Sequence, residues 1–78
     1  MPSRLTETFV APLRIDLNSA SVPELMTLPG VGRQRATAIV LHRVRYGRFR
    51  NPSEVMEVDG FGELAYLRLR GFLHPIPR

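Results

Sequence analysis

Leu28-Pro29-Gly30-Val31-Gly32 recurs thirty residues later as Val58-Asp59-Gly60-Phe61-Gly62. The flanks recur in register: Ser21 maps on Asn51, Glu24 on Glu54, Leu25 on Val55 and Met26 on Met56. An internal repeat this short is one supersecondary unit used twice. Each copy reads as a helix, a tight glycine-hydrophobe-glycine turn, and a second helix. The glycines supply positive φ or close backbone approach. The hydrophobe between them, Val31 or Phe61, points back as a core plug. The turn feeds a helix whose first N–H groups have no intrahelical partner, and such a start is an anion site. With Arg33 and Arg35 directly after the first turn, the anion implied is a nucleic-acid phosphate.

Outward from the turns, the helix limits follow from local signals. Ser21-Val22-Pro23-Glu24 is a capping-box pattern with proline in the first turn. It predicts a helix to about Leu28, with Val22, Leu25, Met26 and Leu28 on one face. The next helix is predicted from about Arg33 to about Tyr46. Ala36, Ile39, Val40 and Val44 form its buried stripe, Arg35, His42 and Arg45 lie off it, and Gly47 is its stop. Arg48-Phe49-Arg50 crosses to the second unit, with Phe49 as anchor. Asn51-Pro52-Ser53-Glu54 repeats the start signal, predicting a helix from Pro52 to about Val58. The last helix is predicted from Glu63 to about Arg70, with Leu64, Leu67 and Leu69 apolar and Tyr66 alongside. Gly71 ends it, and Phe72 and Leu73 fold back on the core. Two such hairpins bury their apolar sides against each other. The expectation is an all-α fold, a compact single domain over residues 15–74 with pseudo-two-fold symmetry. Residues 1–14 are expected to be a flexible lead-in, in which Phe9, Val10 and Leu13 could form a short lid, and 75–78 a tail.

The chain's 78 residues are enough for one domain, and there is no cysteine for a disulfide or a thiolate metal site. All eleven basic side chains are arginine, the residue suited to bidentate phosphate contact. The net charge of +4 is unevenly spread. No acid occurs from Leu25 to Ser53, where Arg33, Arg35, Arg43, Arg45, Arg48 and Arg50 all fall. That stretch carries +6, while the remainder, with five arginines and seven acids, nets −2. A basic block on a slightly acidic protein is the footprint of a polyanion partner. The plainer reading of the same arginines is a solvated helix face. No apolar run approaches the ~18 residues of a membrane span, and no signal-peptide pattern is present.

Asp16-Leu17-Asn18-Ser19-Ala20-Ser21, then Glu24 to Gly32, then Ala36 and Ile39, resemble the helix-hairpin-helix domain of the ComEA-type competence DNA receptors. So does Gly47-Arg48-Phe49 leading into a second hairpin. The resemblance covers about Arg14 to Leu73, and the tandem pair with both flanking motifs is specific to that domain. It implies two tandem helix-hairpin-helix motifs and non-sequence-specific binding of double-stranded DNA during natural transformation. It also implies protein partners within a DNA-uptake machinery. The family usually carries an N-terminal membrane anchor, and this sequence shows none. Localisation is then expected to be extracytoplasmic or periplasmic for a part of an anchored receptor, and cytoplasmic otherwise. In relatives the second hairpin is often followed by basic residues; here Gly62-Glu63-Leu64-Ala65 follows. Related domains also serve as protein-binding parts, as in an extrinsic subunit of photosystem II, so fold does not settle function.

The DNA-binding residues expected are Gly30, Val31, Gly32, Arg33 and Arg35, with the field extended by Arg43, Arg45, Arg48 and Arg50. Gly60, Phe61 and Gly62 form a weaker second site, because Asp59 and Glu63 flank those amides with negative charge. The first hairpin is therefore expected to dominate. Gly32→Val is expected to block phosphate approach and strain the turn, and charge reversal at Arg33 and Arg35 to spare stability. The resemblance also implies that hairpin carbonyls can hold a monovalent cation, but no side chain here demands one, and no cofactor is expected. Gly60-Phe61-Gly62-Glu63-Leu64-Ala65 fits a dinucleotide fingerprint only literally, since a helix precedes it. His42 and His74 lack the company of a zinc site. No catalytic constellation is visible. The alternatives are a protein-interaction or scaffold domain, and an accessory domain of a nuclease, ligase or glycosylase; a chain no longer than the domain counts against the last.

Overall fold

The computed structural model describes residues 14–76. The elements are helix α1 (Val22–Leu25), helix α2 (Arg33–Tyr46), a 3₁₀ helix (Pro52–Glu57), helix α3 (Glu63–Leu69) and a 3₁₀ turn (Arg70–Phe72). Among the described residues the fold is all-α. Its one extended pairing is an isolated parallel bridge of Ile15 with Leu73. There the Ile15 N–H donates to the Phe72 carbonyl at 2.8 Å, and the His74 N–H donates to the Ile15 carbonyl at 2.8 Å. The residues on which a lead-in and a lid were expected before Arg14 lie outside the described region.

The two units repeat their local construction. Ser21 closes a full capping box: the Glu24 N–H donates to its hydroxyl at 3.2 Å, and the Ser21 N–H donates to the Glu24 carboxylate at 2.8 Å. Asn51 caps the 3₁₀ helix by accepting from the Ser53 N–H at 3.0 Å, and the Glu54 carboxylate accepts from the Arg50 N–H at 3.0 Å. Each cap is worth about 1 kcal/mol. In the turns, the Val31 N–H donates to the Leu28 carbonyl at 3.1 Å and the Phe61 N–H to the Val58 carbonyl at 3.0 Å. Both turns close through a left-handed glycine, Gly30 at φ +78° and Gly60 at φ +89°, a conformation L side chains adopt only with strain.

Burial repeats as well. Leu25, Leu28, Val31, Ala36 and Ile39 are buried from the first unit; Val55, Val58 and Leu69 occupy the equivalent places in the second. Met26 and Met56 are each 39% exposed. Phe49 fills the space between the units at 1% exposure, as expected of the connector's anchor. Phe61 and Tyr66 pack against this core while half-buried.

Several expectations are corrected. The α-helical turn of α1 ends at Leu25 rather than Leu28, because the bonds from Thr27 to Glu24 and from Leu28 to Leu25 span three residues. The segment from Pro52 is likewise 3₁₀ rather than α. It is pinned by the Asn51 cap and by the Val58 N–H bonded to the Val55 carbonyl, and at six residues it is long for the tighter form. Val44 is 75% exposed. At about 100° per residue, the series Ala36, Val40, Val44 turns about 40° at each step and walks off the core face. Leu64 and Leu67 also face outward, and Phe72 is half out of the core while its neighbour Leu73 is buried.

Candidate nucleic-acid interface

α2 starts at Gly32 without a side-chain cap, and so does α3 at Gly62. The two preceding helices are side-chain capped. The bare starts are therefore the ones that follow the glycine turns. In α2 the first-turn amides of Arg33, Gln34 and Arg35 have no intrahelical acceptor. They stand at the positive end of a 14-residue helix, equivalent to about half a unit charge.

The glycines of each turn divide the work. Gly30 and Gly60 carry the positive φ. Gly32 has φ −92° and ψ −169°, ordinary extended backbone, and a Cβ built on it meets nothing within 4 Å. Gly62 is likewise extended and open. Neither second glycine is required by the folded chain. The strain expected of a side chain at Gly32 is accordingly absent, and what remains is an open approach to the amides.

Arg33 is exposed at the first turn of α2. Arg35 turns back across the hairpin: its Nη1 donates to the Gly30 carbonyl at 2.8 Å, and its guanidinium carbon lies 5.6 Å from the centre of the Phe61 ring. It thus touches both turns, contacts that the expectation of a structurally neutral replacement did not take into account. The glycines, Val31, Arg33 and Arg35 come together at one end of α2. Arg45, Arg48 and Arg50 do not join them, because about 18 Å of helix separates Arg33 from Arg45. Arg45 shares a cleft with Glu57 and Asp59, and Arg48 and Arg50 share the adjoining one with Glu54 and Glu57. The far half of the arginine block thus stands among acids of the second unit. Arg43 is half-buried and donates to the Leu17 carbonyl at 2.8 Å.

Sequence reasoning missed the bridge made by Arg35. A signal existed in the repeat: the equivalent position in the second unit is Ala65, so a single long side chain is available at that station.

The helix-hairpin-helix motif family matches residues 10–74 of this chain. The chain belongs to that family. It is 32% identical over 56 residues to the ComE operon protein 1 of Bacillus subtilis, an alignment covering 72% of this chain and 27% of that protein. It is 36% identical over 69 residues to Protein YhgF of Escherichia coli, covering 88% of this chain and 9% of that protein. It is 30% identical over 69 residues to the mouse endonuclease/exonuclease/phosphatase family domain-containing protein 1, covering 88% of this chain and 12% of that protein. The chain thus spans about a quarter or less of these relatives, and the likeness to the ComEA type expected from the motifs holds. No helix among the described residues is long and apolar enough to cross a membrane.

Proposed function

We propose that this domain binds double-stranded DNA through its phosphate backbone without reading sequence, and that it does so within DNA uptake. The observation that carries the reading is the start of α2. Gly32 is bare, uncapped and required neither for conformation nor for packing, and Arg33 stands beside it. Amides at a helix start donate to phosphate oxygens, and an adjacent guanidinium adds a charge-assisted bond. Contacts of this kind fix position on a duplex and carry no base information. The uptake context rests on the resemblance to the competence DNA receptors, with which the similarity to a ComE operon protein agrees. The second hairpin offers the same bare amides at Gly62, but Glu63 beside them makes it the weaker partner.

The test is fluorescence anisotropy of two unrelated duplexes titrated at several salt concentrations. Equal affinities, with log affinity falling against log salt at a slope of roughly −2 to −4, are expected for two to four neutralised phosphates. Absence of binding at low salt overturns the reading and favours a protein-interaction domain.

A further inference from the structure

We propose that Arg35 is a positioning residue, a strut that sets the spacing of the two glycine turns, and not a phosphate ligand. Three contacts place it there. Its Nη1 holds the Gly30 carbonyl at 2.8 Å. Its guanidinium lies over Phe61 at 5.6 Å, within cation–π range. Its stem runs beside Gly60: a Cβ on Gly60 would sit 3.6 Å from Arg35 Cγ and 3.8 Å from Nε. One side chain therefore lies along both left-handed glycines, thirty residues apart in sequence. The guanidinium suits this work because its planar fork can donate in its plane while its face covers a ring. A lysine ammonium in its place keeps the charge but not the plane. The repeat supplies no second copy, since Ala65 stands at the equivalent position, so the spacing depends on this side chain. Its consequence for affinity rests on the duplex-binding reading; the strut itself does not.

The first measurement uses the free protein. In ¹H–¹⁵N spectra, Arg35→Lys and Arg35→Gln are expected to move the amides of Gly60, Phe61, Gly62 and Glu63 as well as those of Gly30 to Gly32. Hydrogen exchange at the second turn is expected to quicken. Phe61→Leu, which removes the ring and no charge, is expected to move Gly30 to Gly32 in return. It also keeps the test open should the arginine variants fold poorly. Perturbation by the Arg35 variants confined to residues 30–36 overturns the proposal, whether or not the protein binds DNA.

The second measurement separates strut from ligand on duplex DNA. A strut predicts that Lys and Gln variants lose affinity alike, roughly three- to tenfold, with the parent's salt slope retained. A phosphate ligand predicts that Lys restores affinity and that Gln flattens the slope by ~0.9. That second pattern overturns the proposal. Absence of duplex binding by the parent fails the duplex reading alone and leaves the first measurement decisive.

Discussion

The side-chain amide of Asn18 clasps the backbone of Phe49 at two points. Its Oδ1 accepts from the Phe49 N–H at 2.6 Å, and its Nδ2 donates to the Phe49 carbonyl at 3.0 Å. The lead into α1 and the connector between the units, 31 residues apart, are thereby held as neighbouring strands of a sheet would be, with a side chain standing in for backbone. The clasp orients Phe49 so that its ring enters the core. His42 stacks on the same ring, with centroids 5.2 Å apart and planes 16° from parallel. Arg43, one residue along α2, ties the Leu17 carbonyl from the other side. The Asp-Leu-Asn and Gly-Arg-Phe segments thus meet in this joint.

Asn18→Ala removes both bonds and leaves two partly buried backbone groups of Phe49 unsatisfied. A loss of about 2–3 kcal/mol is expected, which for a domain of this size lowers Tm by roughly 10–20 °C. Asn18→Asp keeps an acceptor for the N–H but has no donor for the carbonyl, and should fall between the parent and alanine. Urea melts of the three proteins check the order. An Asn18→Asp variant less stable than Asn18→Ala would show that repulsion between the carboxylate and the Phe49 carbonyl outweighs the N–H bond that aspartate keeps.

The joint marks where sequence reading stopped. Capping residues act on groups within three positions of themselves, so Ser21 and Asn51 were legible, as was α2 between Arg33 and Gly47. The turns were legible because their glycines repeat. The 3₁₀ form of Pro52–Glu57 was not, since the signals that start a helix do not fix its pitch. Val44 was misplaced because i, i+4 spacing alone hides the drift of a real helix. At the candidate site the glycines and Arg33 were legible from spacing. The separation of Arg45, Arg48 and Arg50 from them was not, because a run of like charge in sequence says nothing about which end of a helix each member occupies. Asn18–Phe49 and Arg35–Phe61 join residues far apart in the chain, and no local rule reaches them.

Gly32→Ser separates binding from stability. The backbone at Gly32 is close to that of Ser21, which caps α1 at φ −79° and ψ 168°. A serine there can accept from the first-turn amides of α2, raising stability by a few tenths of a kcal/mol. The same hydroxyl occupies the amides proposed for phosphate. The expected outcome is an unchanged or raised Tm with duplex affinity reduced severalfold. Affinity equal to the parent's would place the phosphate elsewhere.

Charge reversal distinguishes the two ends of α2. Arg33→Glu puts a carboxylate at the bare helix start, where it repels phosphate. We expect a loss of at least about tenfold in low salt, with the salt slope flattened by ~1. Arg48→Glu acts at the other end, in a cleft that already holds Glu54 and Glu57, and should cost less than about threefold. Both residues are exposed, so no packing is lost; in circular dichroism melts the Arg48 variant should melt with its parent, and the carboxylate at the start of α2 should raise the Tm of the Arg33 variant slightly. Equal losses from the two variants would extend the interface along the whole of α2.

The second hairpin gives the most direct test of how the field decides between two equal sets of amides. Gly62 is as bare as Gly32, and its helix also begins without a side-chain cap. What differs is charge: Glu63 occupies the place of Arg33, and Asp59 that of Pro29. A carboxylate in the first turn stabilises α3 through the helix dipole by about 0.3–1 kcal/mol, yet it repels a phosphate approaching the same N–H groups. Glu63→Arg reverses both effects. Stability should fall by about twice that amount, while duplex affinity rises and the salt slope steepens by ~0.9 as one more phosphate is engaged. Chemical-shift mapping with a short duplex should show small shifts at residues 60–64 of the parent and large ones in the variant. Larger shifts at residues 60–64 than at residues 30–35 in the parent would mean that bare amides outweigh the adjacent carboxylates, and that the second hairpin is the working one.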